Sequence, residues 1–161
     1  MATLQRILVN LEMLSDDISL LEPSQYNNAD HLRLLHSILV LLNELDSQSK
    51  YETEAGFQHV LRGSIFEDVF ERKRMVNVYK KLVEYVITAW EASQKASLII
   101  ADSFDESADK RLELLQVKAI KAKSQLKTVA IAMGKADYEK FTRLFGLLTQ
   151  QWEWDTLRAR F

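Results

Sequence analysis

Apolar residues recur at three- and four-residue steps through most of the chain, which is the spacing of one face of an α-helix. The first series predicts an amphipathic helix over residues 4–21 with Thr3 as its N-cap. A second, leucine-rich series predicts a helix that is capped by Asn28 or Asp30 and ends near residue 46. Its apolar stripe is unusually wide, so we expect this helix to be buried on several sides.

The longest series predicts the central helix of the protein, over residues 65–101. Apolar residues occupy most a and d positions of one heptad frame: Ile65, Val69, Val76, Tyr79, Val83, Val86, Trp90 and Ile100. Ser64 and Glu67 have the spacing of a capping box, so this helix is expected to begin at Ser64. Before it, the polar segment 46–50 predicts a loop, and the residues from Thr53 to Leu61 predict a short helix.

Two more helices are predicted in the C-terminal half. Ser103 and Glu106 repeat the capping-box spacing, so a fifth helix should begin near residue 104 and end at Gly134. Its buried face is predicted to consist of Leu112, Leu115, Ala119, Ala122, Leu126, Val129 and Met133. A sixth helix should begin near Ala136 or Asp137. One face of it would carry Tyr138, Phe141, Phe145, Leu148 and Trp152.

These elements predict an all-α, single-domain bundle of five to six helices. The helix over 65–101 would lie in an antiparallel three-helix unit, 65–158, on which an N-terminal helical pair, 4–46, packs. Antiparallel pairing of the fourth and fifth helices would place Val86 opposite Ala122, so that large residues meet small ones as dense packing requires. One proline and four glycines in 161 residues also leave few turn-forming residues for a β-sandwich or barrel.

Composition narrows the function classes. The formal net charge of −2 argues against a dominant phosphate-binding face. The absence of cysteine excludes disulfides, thiol nucleophiles and thiolate metal sites. No apolar run approaches the roughly 18 residues of a membrane-spanning helix, and the N-terminus lacks the pattern of a signal peptide. We therefore expect a soluble, cytoplasmic protein without membrane contact.

No catalytic, metal or cofactor motif is present. His31, His36 and His59 have none of the spacings of common zinc or di-iron sites. Four scattered glycines do not form a phosphate-binding loop or a dinucleotide fingerprint. The expectation is a non-enzyme without metal or cofactor, and an enzyme whose site is assembled from distant residues stays an alternative.

A locally basic fifth helix supports a second alternative, an accessory subunit that contacts nucleic acid. Its lysines are Lys118, Lys121, Lys123 and Lys127. At about 100° per residue they point in two directions rather than along one stripe, and no exposed aromatic residues alternate with them. Nucleic acid is therefore the less favoured partner.

The C-terminal segment is the candidate partner-binding site. If Trp152 continues the buried stripe of the sixth helix, Trp154 on the same helix is rotated by about 200° and faces outward. Tryptophan and arginine dominate binding hot spots, and the chain end concentrates Trp154, Arg158, Arg160 and Phe161. The alternative is that the last turn folds back and buries Trp154 against the N-terminal helices.

The function favoured by elimination is a non-catalytic, α-helical protein–protein interaction protein, either an adaptor or a small subunit of a larger assembly. Its partner would be another protein or a second copy of the same chain.

Overall fold

A computed structural model describes residues 2–21, 29–102, 106–147 and 152–160. These residues contain seven helices and no strand, which confirms the all-α fold. The helices are α1 (Ala2–Ser19), α2 (Ala29–Ser49), α3 (Glu54–Leu61), α4 (Arg74–Asp102), α5 (Glu106–Met133), α6 (Lys135–Leu144) and α7 (Trp154–Arg160).

Helix α4 is the centre of the fold, because it packs against both α2 and α5. Buried apolar residues recur along it at helical spacing: Val76, Tyr79, Leu82, Val83, Val86, Ile87, Ala89 and Trp90. On α5 the residues buried against this core are Ala122, Leu126 and Ala130. Small residues on both helices let the two backbones approach closely. Helix α1 packs against α2, so α1 and α5 are the two ends of the series α1, α2, α4, α5.

The predicted start of the long helix at Ser64 is wrong, since α4 begins at Arg74. Residues between α3 and α4 form successive hydrogen-bonded turns instead. Phe66 and Phe70 are buried there and their rings stack at 5.5 Å, whereas Ile65, assigned to the heptad seam, is 43% exposed. The side-chain amide of Gln58 donates to the carbonyl oxygen of Phe70 at 2.9 Å. In a continuous helix this carbonyl oxygen would accept from a backbone amide four residues later, so Gln58 replaces that hydrogen bond.

The N-terminal helix boundaries also differ from the prediction. Thr3 lies inside α1 rather than capping it, and α2 continues to Ser49, through most of the segment predicted as a loop. The short third helix is confirmed, with the Thr53 hydroxyl accepting a hydrogen bond from the Gly56 amide at 3.0 Å. Asn28 and Ser103, two proposed capping residues, lie outside the described residues.

The sixth helix is shorter than predicted. It ends at Leu144, and Gly146 follows with a φ of 71°, a left-handed conformation that glycine adopts readily. Leu147 then turns back, and its amide donates to the carbonyl oxygen of Thr142 at 2.7 Å. Trp152 and Trp154 therefore do not share a helix with Phe141, and Leu148 lies outside the described residues. Gly134 ends α5 as predicted, with a φ of 95°.

The tip of the α4–α5 hairpin extends beyond the core. From Ser93 to Leu98, five of the six α4 side chains are exposed, Ala96 being half-buried. The α5 residues Leu112, Leu115 and Ala119, predicted to be core, are half-buried rather than buried. The inner half of the hairpin thus stabilises the domain, while its outer half presents surface.

Candidate functional site

The outward side of α5 carries the main exposed apolar surface of the hairpin. The exposed fractions are 70% for Leu114, 58% for Val117, 62% for Ile120 and 48% for Ile131. At about 100° per residue these four side chains fall within a sector of about 120°, opposite the sector buried against α4. From Leu114 to Ile131 the helix rises by 17 steps, or about 26 Å, and the exposed polar residues Ser124 and Thr128 lie in the same sector between Ile120 and Ile131. We call these four residues the α5 stripe.

Lysines flank the α5 stripe on both sides. Lys118 is exposed along one edge, and Lys123 and Lys127 are half-buried along the other. Lys121 is exposed within the sector itself, between the directions of Val117 and Leu114. No aspartate or glutamate occurs between residues 114 and 133. The stripe is therefore an apolar surface in a positive field, which favours an occupant that is both apolar and acidic.

A second exposed apolar surface lies on α1 and α2. Val9 and Met13 are exposed on α1, where they lie within about 40° of each other around the helix axis, and Leu20 is exposed immediately after the helix ends. Val40 of α2 is exposed as well. Between the two helices lies a groove of about 430 Å³, lined by Asn10, Met13, Leu14, Asp17, Ser37, Val40 and Leu41. These residues form the α1/α2 face.

The charge on the α1/α2 face is the opposite of that around the α5 stripe. Glu12, Asp16 and Asp17 are half-buried or exposed beside its apolar residues, and Arg6 is the one basic residue of α1. Because α1 and α5 are at opposite ends of the series of packed helices, these two surfaces of one molecule do not cover each other.

At the C-terminus, the structure places Trp154 closer to the core than the sequence argument assumed. Trp154 is half-buried, and its ring lies 5.8 Å from that of Tyr138. Trp152 is buried as predicted, although it precedes α7 instead of continuing α6. The premise that the two tryptophans share one helix is therefore wrong.

The other residues of the predicted C-terminal patch lie beyond what the structure describes. The backbones of Arg158 and Arg160 belong to α7, but their side chains, like the whole of Phe161, are outside the described part. A cavity of about 270 Å³ adjoins Trp154. The charged residues that line it are Lys135, Glu139, Arg143, Glu153 and Asp155. Two of these residues are positive and three are negative, so the cavity does not favour a ligand of either charge. The C-terminal patch stays a prediction.

The histidines are separated from one another. His31 is buried, with Nε2 2.9 Å from the carbonyl oxygen of Phe145 and its ring 5.1 Å from that of Trp90. His36 is exposed and pairs with Glu91 at 2.8 Å, and His59 is exposed on α3. Over the described ranges, no three His, Asp or Glu side chains are grouped as metal ligands would be.

None of the helices in the described segments is both long enough and apolar enough to cross a membrane.

The α5 stripe was missed because residues were assigned to the buried face of α5 by spacing alone. The signal was present, since Leu114, Val117, Ile120 and Ile131 are four apolar residues that the predicted buried face leaves out. A helix with apolar residues on two sides has two surfaces to cover, and α4 covers one of them.

Comparisons with protein-family models, with curated proteins and with solved structures find no match. The chemistry of the surfaces described above is thus the basis on which a function is proposed.

Proposed function

We propose that the protein is a non-catalytic helical interaction protein, a small subunit that assembles with further copies of itself. In this assembly the α5 stripe of one copy packs on the α1/α2 face of the next. The observation that carries the proposal is the α5 stripe, in which Leu114, Val117 and Ile120 form an exposed apolar cluster on a helix whose other side is already packed against α4. Contiguous exposed apolar patches on folded proteins commonly mark interaction sites.

The length and shape of the stripe favour a helical occupant. Three of its residues, Leu114, Val117 and Ile120, are separated by single turns, which is how a helix presents anchors to a groove. The flanking lysines favour acidic groups on that occupant, because complementary charge raises the rate of encounter and suppresses wrong partners.

The α1/α2 face has the chemistry that the α5 stripe requires. Its groove is lined by apolar side chains from both helices, including Met13 and Val40, and Asp17 lines the groove as well. Methionine adapts its shape to different apolar partners, which suits a binding groove. In a docked pair, Val117 and Ile120 would enter the groove while Lys118 and Lys121 approach Asp16 and Asp17.

This arrangement is heterologous, since two different surfaces meet at each contact. Such contacts form a ring if the rotation between copies closes, and an open chain if it does not. The α1/α2 face and the α5 stripe lie at opposite ends of the series of packed helices, so each copy can bind two neighbours.

Sedimentation velocity and light scattering over a wide range of concentration test the proposal. We expect the mass to rise with concentration at low salt and to fall when salt is added, because exposed charge pairs are screened. The variant with Lys118→Glu and Lys121→Glu should stay monomeric, and so should the variant with Asp16→Lys and Asp17→Lys. Mixing these two variants should restore assembly, since each then offers a surface complementary to the other.

A matched control reverses two exposed arginines away from both surfaces, Arg62→Glu and Arg72→Glu, in the connection between α3 and α4. The control changes the net charge by the same amount as the lysine variant. It should therefore assemble like the unchanged protein, whereas loss of assembly in the control would show that net charge alone prevents association. A wild-type protein that is monomeric at every concentration would overturn the proposal. Failure of the mixed variants to assemble would overturn the assignment of the two faces.

A further inference from the structure

A cleft of about 530 Å³ lies where the end of α2, the start of α4 and the end of α5 meet. Its volume is within the usual range of small-molecule sites. Side chains of these three helices and of the residues next to them line the cleft.

Positive charge dominates this cleft. Among the described residues, its cations are Lys50, Lys73, Arg74 and Lys81, and its one lining carboxylate is Asp46. Asp46 is already engaged by Lys80, whose Nζ lies 3.3 Å from Oδ2. Four cations and one paired carboxylate give the cleft a positive potential, which attracts an anion.

The four cations are not equivalent. Lys73 has a structural role, since its Nζ donates to the carbonyl oxygens of Glu52 at 2.6 Å and Ser49 at 3.3 Å, near the C-terminus of α2. Across the described segments, Lys50, Arg74 and Lys81 form no ion pair with a carboxylate, and all three are exposed. These three side chains are able to turn toward an anion in the cleft.

A buried polar atom on the wall of the same cleft also lacks a partner. Oδ1 of Asn77 is shielded from solvent and accepts no hydrogen bond. Buried amide oxygens nearly always accept a hydrogen bond, so we expect an O–H or N–H group of a ligand to donate to this one. The carbon atoms of Val78, Val129 and Ala132 provide an apolar wall nearby.

From this cleft we infer that the protein binds a small phosphate ester that carries hydroxyl groups, of the size and kind of a sugar phosphate. The phosphate would lie among Arg74, Lys81 and Lys50, with Arg74 able to donate two parallel hydrogen bonds to it. A hydroxyl of the ligand would donate to Oδ1 of Asn77. No residue of the α5 stripe or of the α1/α2 face lines this cleft, although Thr128 and Ala132 of its wall lie beside Ile131 on α5.

Isothermal titration calorimetry on the full chain tests the inference with three probes: ribose 5-phosphate, inorganic phosphate and ribose. We expect ribose 5-phosphate to bind more tightly than either fragment. The double substitution Arg74→Gln and Lys81→Gln should weaken its binding at least about tenfold, since each loses a hydrogen bond to a charged group. The control pair Lys95→Gln and Lys110→Gln, exposed and outside the cleft, should leave the affinity unchanged.

Asn77→Leu separates the two parts of the site. It removes the unpaired acceptor, so it should weaken the binding of ribose 5-phosphate and leave that of inorganic phosphate unchanged. No heat of binding with any probe would overturn the inference, as would equal affinities for ribose 5-phosphate and inorganic phosphate. Unchanged binding by the Arg74 and Lys81 variant would do so independently of Asn77.

Discussion

The phenol hydroxyl of Tyr138 donates a hydrogen bond of 2.9 Å to the carbonyl oxygen of Trp152. Both side chains are buried, and the indole of Trp152 meets that of Trp90 edge-on at 5.7 Å. The bond therefore fixes the segment before α7 to α6 and brings it against α4. Tyr138 also contacts Trp154 at 5.8 Å, so both tryptophans of the C-terminal segment lie near one tyrosine.

Trp152→Ala and Trp154→Ala should destabilise the fold to different extents. The loss for Trp152→Ala should be about 3–5 kcal/mol, as for other large aromatic residues truncated in a core. Trp154 is half-buried, so its truncation should cost clearly less, about 1–2 kcal/mol. Urea unfolding of both variants measures the difference. Equal losses would place Trp154 in the core and remove it from the predicted C-terminal patch.

Stability should fall as the solution becomes acidic, because of His31. Burial lowers the pKa of His31 below its ordinary value of 6.5, against the opposing effect of the hydrogen bond to the Phe145 carbonyl. Between these two pKa values the unfolded chain binds the proton and the folded chain does not, so protonation favours unfolding. The contribution of neutral His31 is complete above pH 6.5 and is lost as the pH falls toward the lowered pKa.

Urea unfolding at a series of pH values checks this prediction. His31→Gln keeps a donor near the Phe145 carbonyl but does not titrate, so its stability should change less between pH 6.5 and lower pH. His59→Gln, at an exposed position, is the matched control and should follow the unchanged protein. An identical pH profile for His31→Gln would contradict the assignment.

Gly146→Ala should be more harmful than Gly63→Ala. Both glycines have a positive φ, 71° and 78°, so alanine is strained at each by about 1–2 kcal/mol. A Cβ at position 63 meets nothing within 4 Å, whereas at position 146 it would lie 2.5 Å from a methyl carbon of Ile18. We expect an additional cost of about 1–3 kcal/mol at position 146, measured as the difference between the two unfolding free energies. Similar losses would mean that Ile18 moves away easily.

The α4–α5 contact can be tested with alanines on α5. Ala122 is 2% exposed and Ala119 is half-buried, although both lie on the face of α5 that apolar spacing predicts to be buried. Ala122→Leu should destabilise the fold by about 1–3 kcal/mol through overpacking, and Ala119→Leu by less. Thermal unfolding of both variants measures the difference. A larger loss of stability for Ala119→Leu would show that Ala119, rather than Ala122, lies at the contact between α4 and α5.

The sequence by itself determined the fold class and most of the helices. Apolar spacing located α1, α2, α3, α5 and the greater part of α4, because a helix must bury one side wherever it forms. It also identified Trp152 and Ala122 as core residues. The positive φ of Gly134 was predictable too, since glycine at the end of a periodic series commonly ends a helix.

Tertiary structure decided where α4 begins, where α6 ends and which apolar residues stay exposed. Ser64 has the local pattern of a cap, but burying Phe66 and Phe70 requires turns instead of a continuous helix. Gly146 could not be placed from spacing, because its conformation depends on how closely Ile18 and His31 approach it. The α5 stripe was equally undetermined, since periodicity shows that Val117 is apolar but not whether another helix lies against it. Local pattern limits what each segment can form, and packing between distant segments selects among those options.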